Sequence, residues 1–222
     1  MSQLASKPRT KRRTASKQER KQQLIKATIR SIAKNGLSVT TMSTVAKEAG
    51  LSQGIINLHF QSKDRLLEET LRYVVDEYRT AWFGALGKGG DTAVEKLTAL
   101  VRVDFGKRIC QRNKLAVWFA FWGESRSRPT YRQICAEWDL EYRQVLTSLC
   151  ADIIKDGGYS SRADFVAYGL SAMSEGLWLD LLLNSAEMTP ELAYEVCITY
   201  LRDTFPKHFG NQVSGGKPLN SE

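Results

Sequence analysis

The chain has 222 residues, 42% of them hydrophobic and 25% charged, the composition of a globular protein with one large or two small domains. No stretch approaches the roughly 18 uninterrupted apolar residues of a membrane span, and no apolar segment follows the basic N-terminus as a secretory signal requires. The net charge of +8 is uneven, since residues 1–65 hold 14 Lys/Arg against 3 Asp/Glu and residues 66–222 hold 18 against 21, so one end of the molecule suits a polyanion and the rest does not.

In chain order, residues 1–17 are rich in Lys, Arg, Ser and Thr with no apolar rhythm, which predicts a disordered basic arm. From about Arg20 to Asn35 the stripe Ile25, Ile29, Ile32 predicts a first amphipathic helix, with Gly36 closing it. Thr41 caps a short second helix whose apolar side is Met42, Val45, Ala46 and Ala49. After Gly50-Leu51-Ser52 a third helix covers Gln53 to about His59, and Ser62 caps a fourth that runs to about Phe83 and stops in the Gly84–Gly90 region. The second half reads as five more helices. The first runs from the Thr92–Glu95 capping box to about Cys110, the next covers Leu115–Trp122, and a long one begins at Pro129 and ends at Gly157-Gly158. The last two run from Ser161 to about Ala186 and from Thr189-Pro190-Glu191 to about Phe205. Residues 210–222 read as a disordered polar tail. The expected fold class is all-α, with about nine helices and no sheet.

Two short helices joined by a three-residue turn inside the basic end make a helix-turn-helix. Its second helix presents Gln53, Gly54, Ile55, Asn57, Leu58 and His59 outward, with Ile56 and Phe60 as inner anchors. That face suits a DNA major groove: amides bond base edges, Gly54 permits close approach, and Ile55 or Leu58 can meet thymine methyls. Thr40, Thr41, Ser52 and Ser62 sit at helix starts, where free N–H groups attract phosphate, and Lys63 adds a point charge. The basic arm would add phosphate or minor-groove contacts without reading bases.

The body carries a second pattern. Trp118 and Trp122 share one helix face, Trp138 and Tyr142 share another, and Trp178 lies on the helix after that. Clustered ring faces hold quaternary ammonium groups, and Asp104, Glu124, Glu137, Asp139, Glu175 or Asp180 could supply the counter-charge. An apolar drug-like or acyl ligand would also fit LAVWFAFW (115–122), so both classes of effector stay open. Gly169, Ala172 and Gly176 place small residues along one helix side, and Leu192, Val196, Thr199, Tyr200 and Leu201 repeat along the last helix, which allows close helix pairing.

Catalysis has little support. His59 lies on the DNA-reading helix and His208 near the end of the last helix, without the serine or cysteine partner that a nucleophilic triad needs. Walker, GxGxxG and HExxH patterns are absent. Neither a metal nor a cofactor is expected. Cys110, Cys135, Cys150 and Cys197 form no CxxC pair and read as small buried hydrophobes of a cytoplasmic protein.

The run TTMSTVAKEAGLSQGIINLHFQSKDRLL (40–67) closely resembles the helix-turn-helix signature of TetR-type repressors, with Ala46, Ala49, Gly50, Ser52, Gly54, His59, Phe60, Lys63 and Leu66 in register. Asn57 stands where a phosphate-touching tyrosine is often found. WFAFWGES (118–125), EGLWLDLLL (175–183) and GIINLHFQ (54–61) are similar to the choline-responsive BetI-type subgroup, over about residues 18–209; Asp180 stands where that subgroup leads one to expect a basic residue. The resemblance implies a DNA-binding head over 18–65 and an effector-binding and dimerisation body over 66–209. It further implies a homodimer paired through the last two helices, an inverted-repeat operator, and choline or a related quaternary amine as effector. Trp118, Trp122, Trp138, Tyr142, Glu175 and Trp178 are the candidate effector contacts. A DNA-binding protein without an effector is the remaining alternative.

Overall fold

The computed structural model describes residues 16–210 and is helical throughout, with no strand among those residues. Ten helices follow one another: α1 (Lys17–Asn35), α2 (Met42–Glu48), α3 (Gln53–His59), α4 (Lys63–Lys88), α5 (Ala93–Asp104), α6 (Arg112–Glu124), α7 (Pro129–Gly157), α8 (Ala163–Leu183), α9 (Pro190–Thr204) and α10 (Pro206–Phe209). The expected arm before residue 16 and the tail after 210 lie outside the described residues.

Local chemistry starts and stops these elements. Ser16 and Glu19 form a capping box that starts α1 a turn earlier than expected, and Thr92 with Glu95 forms the expected capping box of α5. Thr41 accepts the N–H of Thr44, and Ser62 that of Arg65, at the starts of α2 and α4. Gly50, at φ 65°, makes the left-handed turn between α2 and α3, a backbone state that costs glycine nothing. Gly158, at φ 63°, closes α7 in the same way.

Several boundaries differ from the sequence-based expectation, each for a tertiary reason. α4 runs through Gly84 and Gly87 to Lys88. Each glycine costs a helix about 1 kcal/mol relative to alanine, and the fully buried Trp82 with the half-buried Leu86 holds this turn against the body. α5 stops at Asp104 instead of near Cys110, because Gly106 turns back onto Val103, and Phe105 and Ile109 enter the core from the turn. α8 ends at Leu183 rather than Ala186, and α10 is an additional short helix begun by Pro206.

The first three helices pack around Leu24, Ile25, Ile32, Val45, Ala46, Ile56 and Phe60, all buried. α4 leads from this head into the body, touching α1 at one end and α5, α6 and α7 along its length. α7 and α8 lie side by side, α9 packs on α8 and α5, and α6 lies between α1 on one side and α4, α7 and α8 on the other. The core is therefore continuous from head to body, and α6 belongs to both.

Candidate functional site

The outer face of α3 is set by what its inner face must bury. Ile56 is fully buried and Phe60 nearly so. At helical spacing this turns Gln53, Gly54, Asn57 and Leu58 to solvent, with Ile55 and His59 half-buried at the edges. Leu58 is 76% exposed, a cost in water that a groove contact would remove. Gln53 Nε2 donates to Asn57 Oδ1 at 3.4 Å, which aligns the two amides along one side. A Cβ added to Gly54 would meet only Ser52 Oγ at 3.9 Å. The chain itself therefore does not need a glycine there.

The helix-start residues divide. Thr41 and Ser52 are exposed, and the Ser52 side chain makes no capping bond. Thr40 departs from the expectation: it is buried, its hydroxyl donates to the Gly36 carbonyl at 2.8 Å, and it lies 3.2 Å from the Ser31 hydroxyl. It braces the α1–α2 turn, and its hydroxyl is not presented to a phosphate. Lys63 is half-buried, with Nζ donating to the carbonyls of Ser38 at 3.2 Å and Leu37 at 3.5 Å. Its charge stays near the head's surface but also ties α4 to that turn.

In the body, a cavity of about 250 Å³ opens between α4, α6, α7 and α8. All six candidate effector residues line it: Trp118, Trp122, Trp138, Tyr142, Glu175 and Trp178. Tyr78, Asp139, Arg143, Ser171 and Ser174 complete the wall. The Tyr78 ring centroid is 5.3 Å from those of Trp138 and Trp178 and 6.2 Å from Trp118, all edge-to-face. Trp118 and Trp122 lie 5.7 Å apart and tilted. Such contacts suit the ring quadrupoles and line a space with aromatic walls.

Of the six carboxylates considered, Asp139 and Glu175 line the cavity. Burial raises the affinity of each for its proton; Asp139 pushes Glu175 further up, and Arg143 pulls both down. Asp104 lies behind the wall, 2% exposed. Its carboxylate accepts from the Tyr78 hydroxyl at 2.6 Å and the Tyr142 hydroxyl at 3.2 Å, and its carbonyl accepts from Trp178 Nε1 at 2.8 Å. Glu124, Glu137 and Asp180 serve elsewhere: Glu124 accepts from Ser127, Asp180 from Asn184, and Glu137 is exposed. Tyr78 was not singled out from the sequence, although it sits one turn before Trp82 on α4 and so carries the same i, i+4 aromatic signal as the other pairs.

The cavity and the head share elements. α6 carries Trp118 and Trp122 and packs on α1. Lys114 of α6 pairs with Glu77 of α4 at 2.9 Å, Lys21 of α1 with Glu69 of α4 at 3.0 Å, and Arg128, just after α6, with Asp64 at the start of α4 at 2.7 Å. On the far side, α8 and α9 expose Phe165, Tyr168, Leu179, Leu183, Leu192 and Val196. The small-residue stripe proves mixed. A Cβ on Gly169 would come 2.8 Å from the Tyr200 hydroxyl of α9, so this glycine permits packing within the chain, whereas Ala172 and Gly176 face outward among the exposed apolar residues. Leu201 is fully buried and belongs to the core.

Among the described residues no helix is long and apolar enough to cross a membrane. Residues 24–70 match the family described as bacterial regulatory proteins of the tetR family, and residues 93–206 the C-terminal domain of BetI-type transcriptional repressors. The HTH-type transcriptional regulator BetI of Burkholderia thailandensis is 34% identical over 182 residues, spanning 82% of this chain and 91% of that protein. The same regulator of Paraburkholderia xenovorans is 32% identical over the same shares. Among solved structures, a putative transcriptional regulator from Pseudomonas aeruginosa superposes with a TM-score of 0.76 at 27% identity, covering 88% of this chain and 95% of that one. One from Saccharomonospora viridis, solved in complex with choline, gives 0.74 at 24% identity, covering 83% and 96%.

Proposed function

The chain belongs to the TetR family of transcriptional regulators, with a BetI-type C-terminal domain, and on that premise we propose that it is a homodimeric repressor released from its operator by choline or a closely related quaternary amine. It is a regulator and not an enzyme. In this reading the controlled genes are those of choline uptake and glycine betaine synthesis.

The observation that carries the choice of effector is the walled cavity. Aromatic faces from four helices converge on one space with two carboxylates against the single Arg143 cation, the arrangement that favours a cation without a hydrogen-bonding shell of its own. Its volume of about 250 Å³ lies below the roughly 300–1,000 Å³ of sites for drug-sized ligands. Both features disfavour the apolar drug-like or acyl alternative. The choline complex of the Saccharomonospora viridis relative adds support from a protein of the same fold.

On the DNA side, Gln53, Gly54, Ile55, Asn57, Leu58 and His59 would face base edges, and Thr41, Ser52 and Lys63 the phosphates. A dimer formed through the exposed faces of α8 and α9 would set two copies of α3 about 34–36 Å apart, one helical turn of DNA, so the operator would be an inverted repeat. Choline binding would favour a body conformation in which α6 and α4 shift the heads off that spacing. The differential affinity of choline for the two conformations would set how far operator binding falls.

The test is a mobility shift on the DNA upstream of the gene, with and without choline, alongside Trp122→Ala. Choline should release the wild-type protein. The variant should hold the operator equally well and need about 2–30-fold more choline, the loss of one cation–π contact. Release by apolar compounds and not by choline would overturn the effector, and no retardation of any fragment would overturn the DNA role.

A further inference from the structure

Asp104 is the least expected residue near the cavity, because a carboxylate this deeply buried normally has a cationic partner. Its surroundings come from every element packed against it. α4 contributes the Tyr78 hydroxyl, α7 the Tyr142 hydroxyl, and α8 Ser174, Glu175 and the Trp178 indole. α9 contributes the Cys197 thiol, and the turn after α5 the Cys110 thiol, which donates to the Asp104 carbonyl. None of these groups brings positive charge, and one brings a second negative charge. Yet five of them, Tyr78, Tyr142, Ser174, Glu175 and Trp178, also line the cavity. The space where a cation would sit is thus one side chain away from a buried carboxylate.

We propose that Asp104 is a positioning and specificity-determining residue for the effector: a buried anion behind the ring faces that selects a cationic ligand over a neutral one and gives up its proton when that ligand binds. This rests on the cavity taking a cation, as above, and extends it to a residue outside the cavity wall. Two physical effects act together. A phenol donating its O–H to a carboxylate has a more electron-rich ring, so Tyr78 and Tyr142 become better faces for an ammonium group. The carboxylate also contributes long-range attraction, strengthened by the low dielectric around it.

Protonation is linked to both effects. Burial pushes the Asp104 carboxyl up to about 7, opposed by the hydrogen bonds from Tyr78, Tyr142 and Ser174, while the charge of Glu175 pushes in the same direction as burial. Without a ligand near neutrality, some of the molecules hold Asp104 as a neutral acid. The entering cation favours the carboxylate, the O–H bond of the acid breaks, and the proton passes to the buffer. Binding therefore releases a proton below neutrality, and affinity rises with pH until Asp104 is already ionised in the free protein.

Calorimetric titration of the full-length dimer with choline chloride, at about pH 6 and about pH 8, should show affinity rising several-fold and by at most about tenfold, the limit for one carboxyl ionising near 7. At the lower pH, two buffers of different ionisation enthalpy should report a substantial fraction of a proton released per choline. Asp104→Asn should bind choline at least tenfold more weakly at the higher pH, with little pH dependence. It should also lose much of the preference for choline over 3,3-dimethylbutanol, its uncharged carbon analogue. Glu175→Gln should keep a pH dependence, moved to lower pH because the Glu175 charge no longer raises the Asp104 carboxyl, which separates the two carboxylates. If Asp104→Asn fails to fold, proton release that persists in both Glu175→Gln and Asp139→Asn, the two carboxylates of the wall, still decides. Choline binding with no proton released at the lower pH, or an Asp104→Asn profile like the wild type, would overturn the role of Asp104 and leave the choline reading standing. Failure of the wild type to bind choline or tetramethylammonium would overturn both.

Discussion

Gly54 has open space around it, and that emptiness points outward. Any side chain at this position would be free of clashes within the chain, so a glycine here makes sense if another surface comes close. Gly54→Leu should fold normally and gain up to about 1 kcal/mol, because leucine is the better helix former. Operator affinity should nevertheless fall by at least about tenfold, the cost of holding the groove off by one side chain; thermal melts and mobility shifts check the two halves. Asp104 presents the opposite situation, a polar group where packing would favour an apolar one. Its folded carboxyl is raised from 3.8 to about 7, so the native state holds the proton more tightly than the unfolded chain. The associated stability is complete below about pH 4 and is lost as pH rises through about 7; a shift of that size is worth roughly 4 kcal/mol. In the absence of ligand, Asp104→Asn should flatten the fall in melting temperature between pH 5 and 8, as differential scanning calorimetry would show.

At the scale of elements, α6 is the helix that touches both the cavity and the head. One side brings Trp118 and Trp122 to the cavity and the other packs on α1 of the head. The segment just after it reaches the start of α4 through Arg128 and Asp64. That pair is largely exposed and contributes about 0–1 kcal/mol to stability at most, but it joins the two parts whose relative position would have to change. Arg128→Ala should therefore leave the melting temperature almost unchanged. The ratio of operator affinities without and with choline should shift several-fold, within the range usual for coupling between sites. An unchanged ratio in a fluorescence anisotropy titration would remove this contact from the coupling route. The same scale shows where periodicity misleads. α4 continues past two glycines because Trp82 and Leu86 anchor it, and α5 ends early because Phe105 and Ile109 are needed in the core from a turn. Both outcomes depend on neighbours that lie far away along the chain.

At the scale of the whole molecule, the exposed apolar residues of α8 and α9 form a face left uncovered in the single chain. Phe165, Tyr168, Leu179 and Leu183 recur at helical spacing on the open side of α8, a patch that the dimer would cover. Leu183→Glu should yield a monomer by light scattering while far-UV circular dichroism stays helical. Its operator affinity should collapse, because each head would then bind one half-site alone.

The helix-turn-helix was legible because everything that defines it is local. The Thr41 cap, the left-handed turn at Gly50 and the spacing of Ile56 and Phe60 all lie within twenty-odd residues, so a one-dimensional pattern suffices to fix which face of α3 is left outside. The ring pairs at i, i+4 were legible for the same reason. That these pairs meet around one cavity, with Tyr78 among them and Asp104 behind, depends on α4, α5, α6, α7 and α8 converging. The placement of Thr40 inside the head depends likewise on another element, the end of α1 with Ser31 and Gly36. Helical spacing determines the direction a side chain takes from its own axis, but burial and electrostatic partnership are set by other helices, and only the packed core decides those.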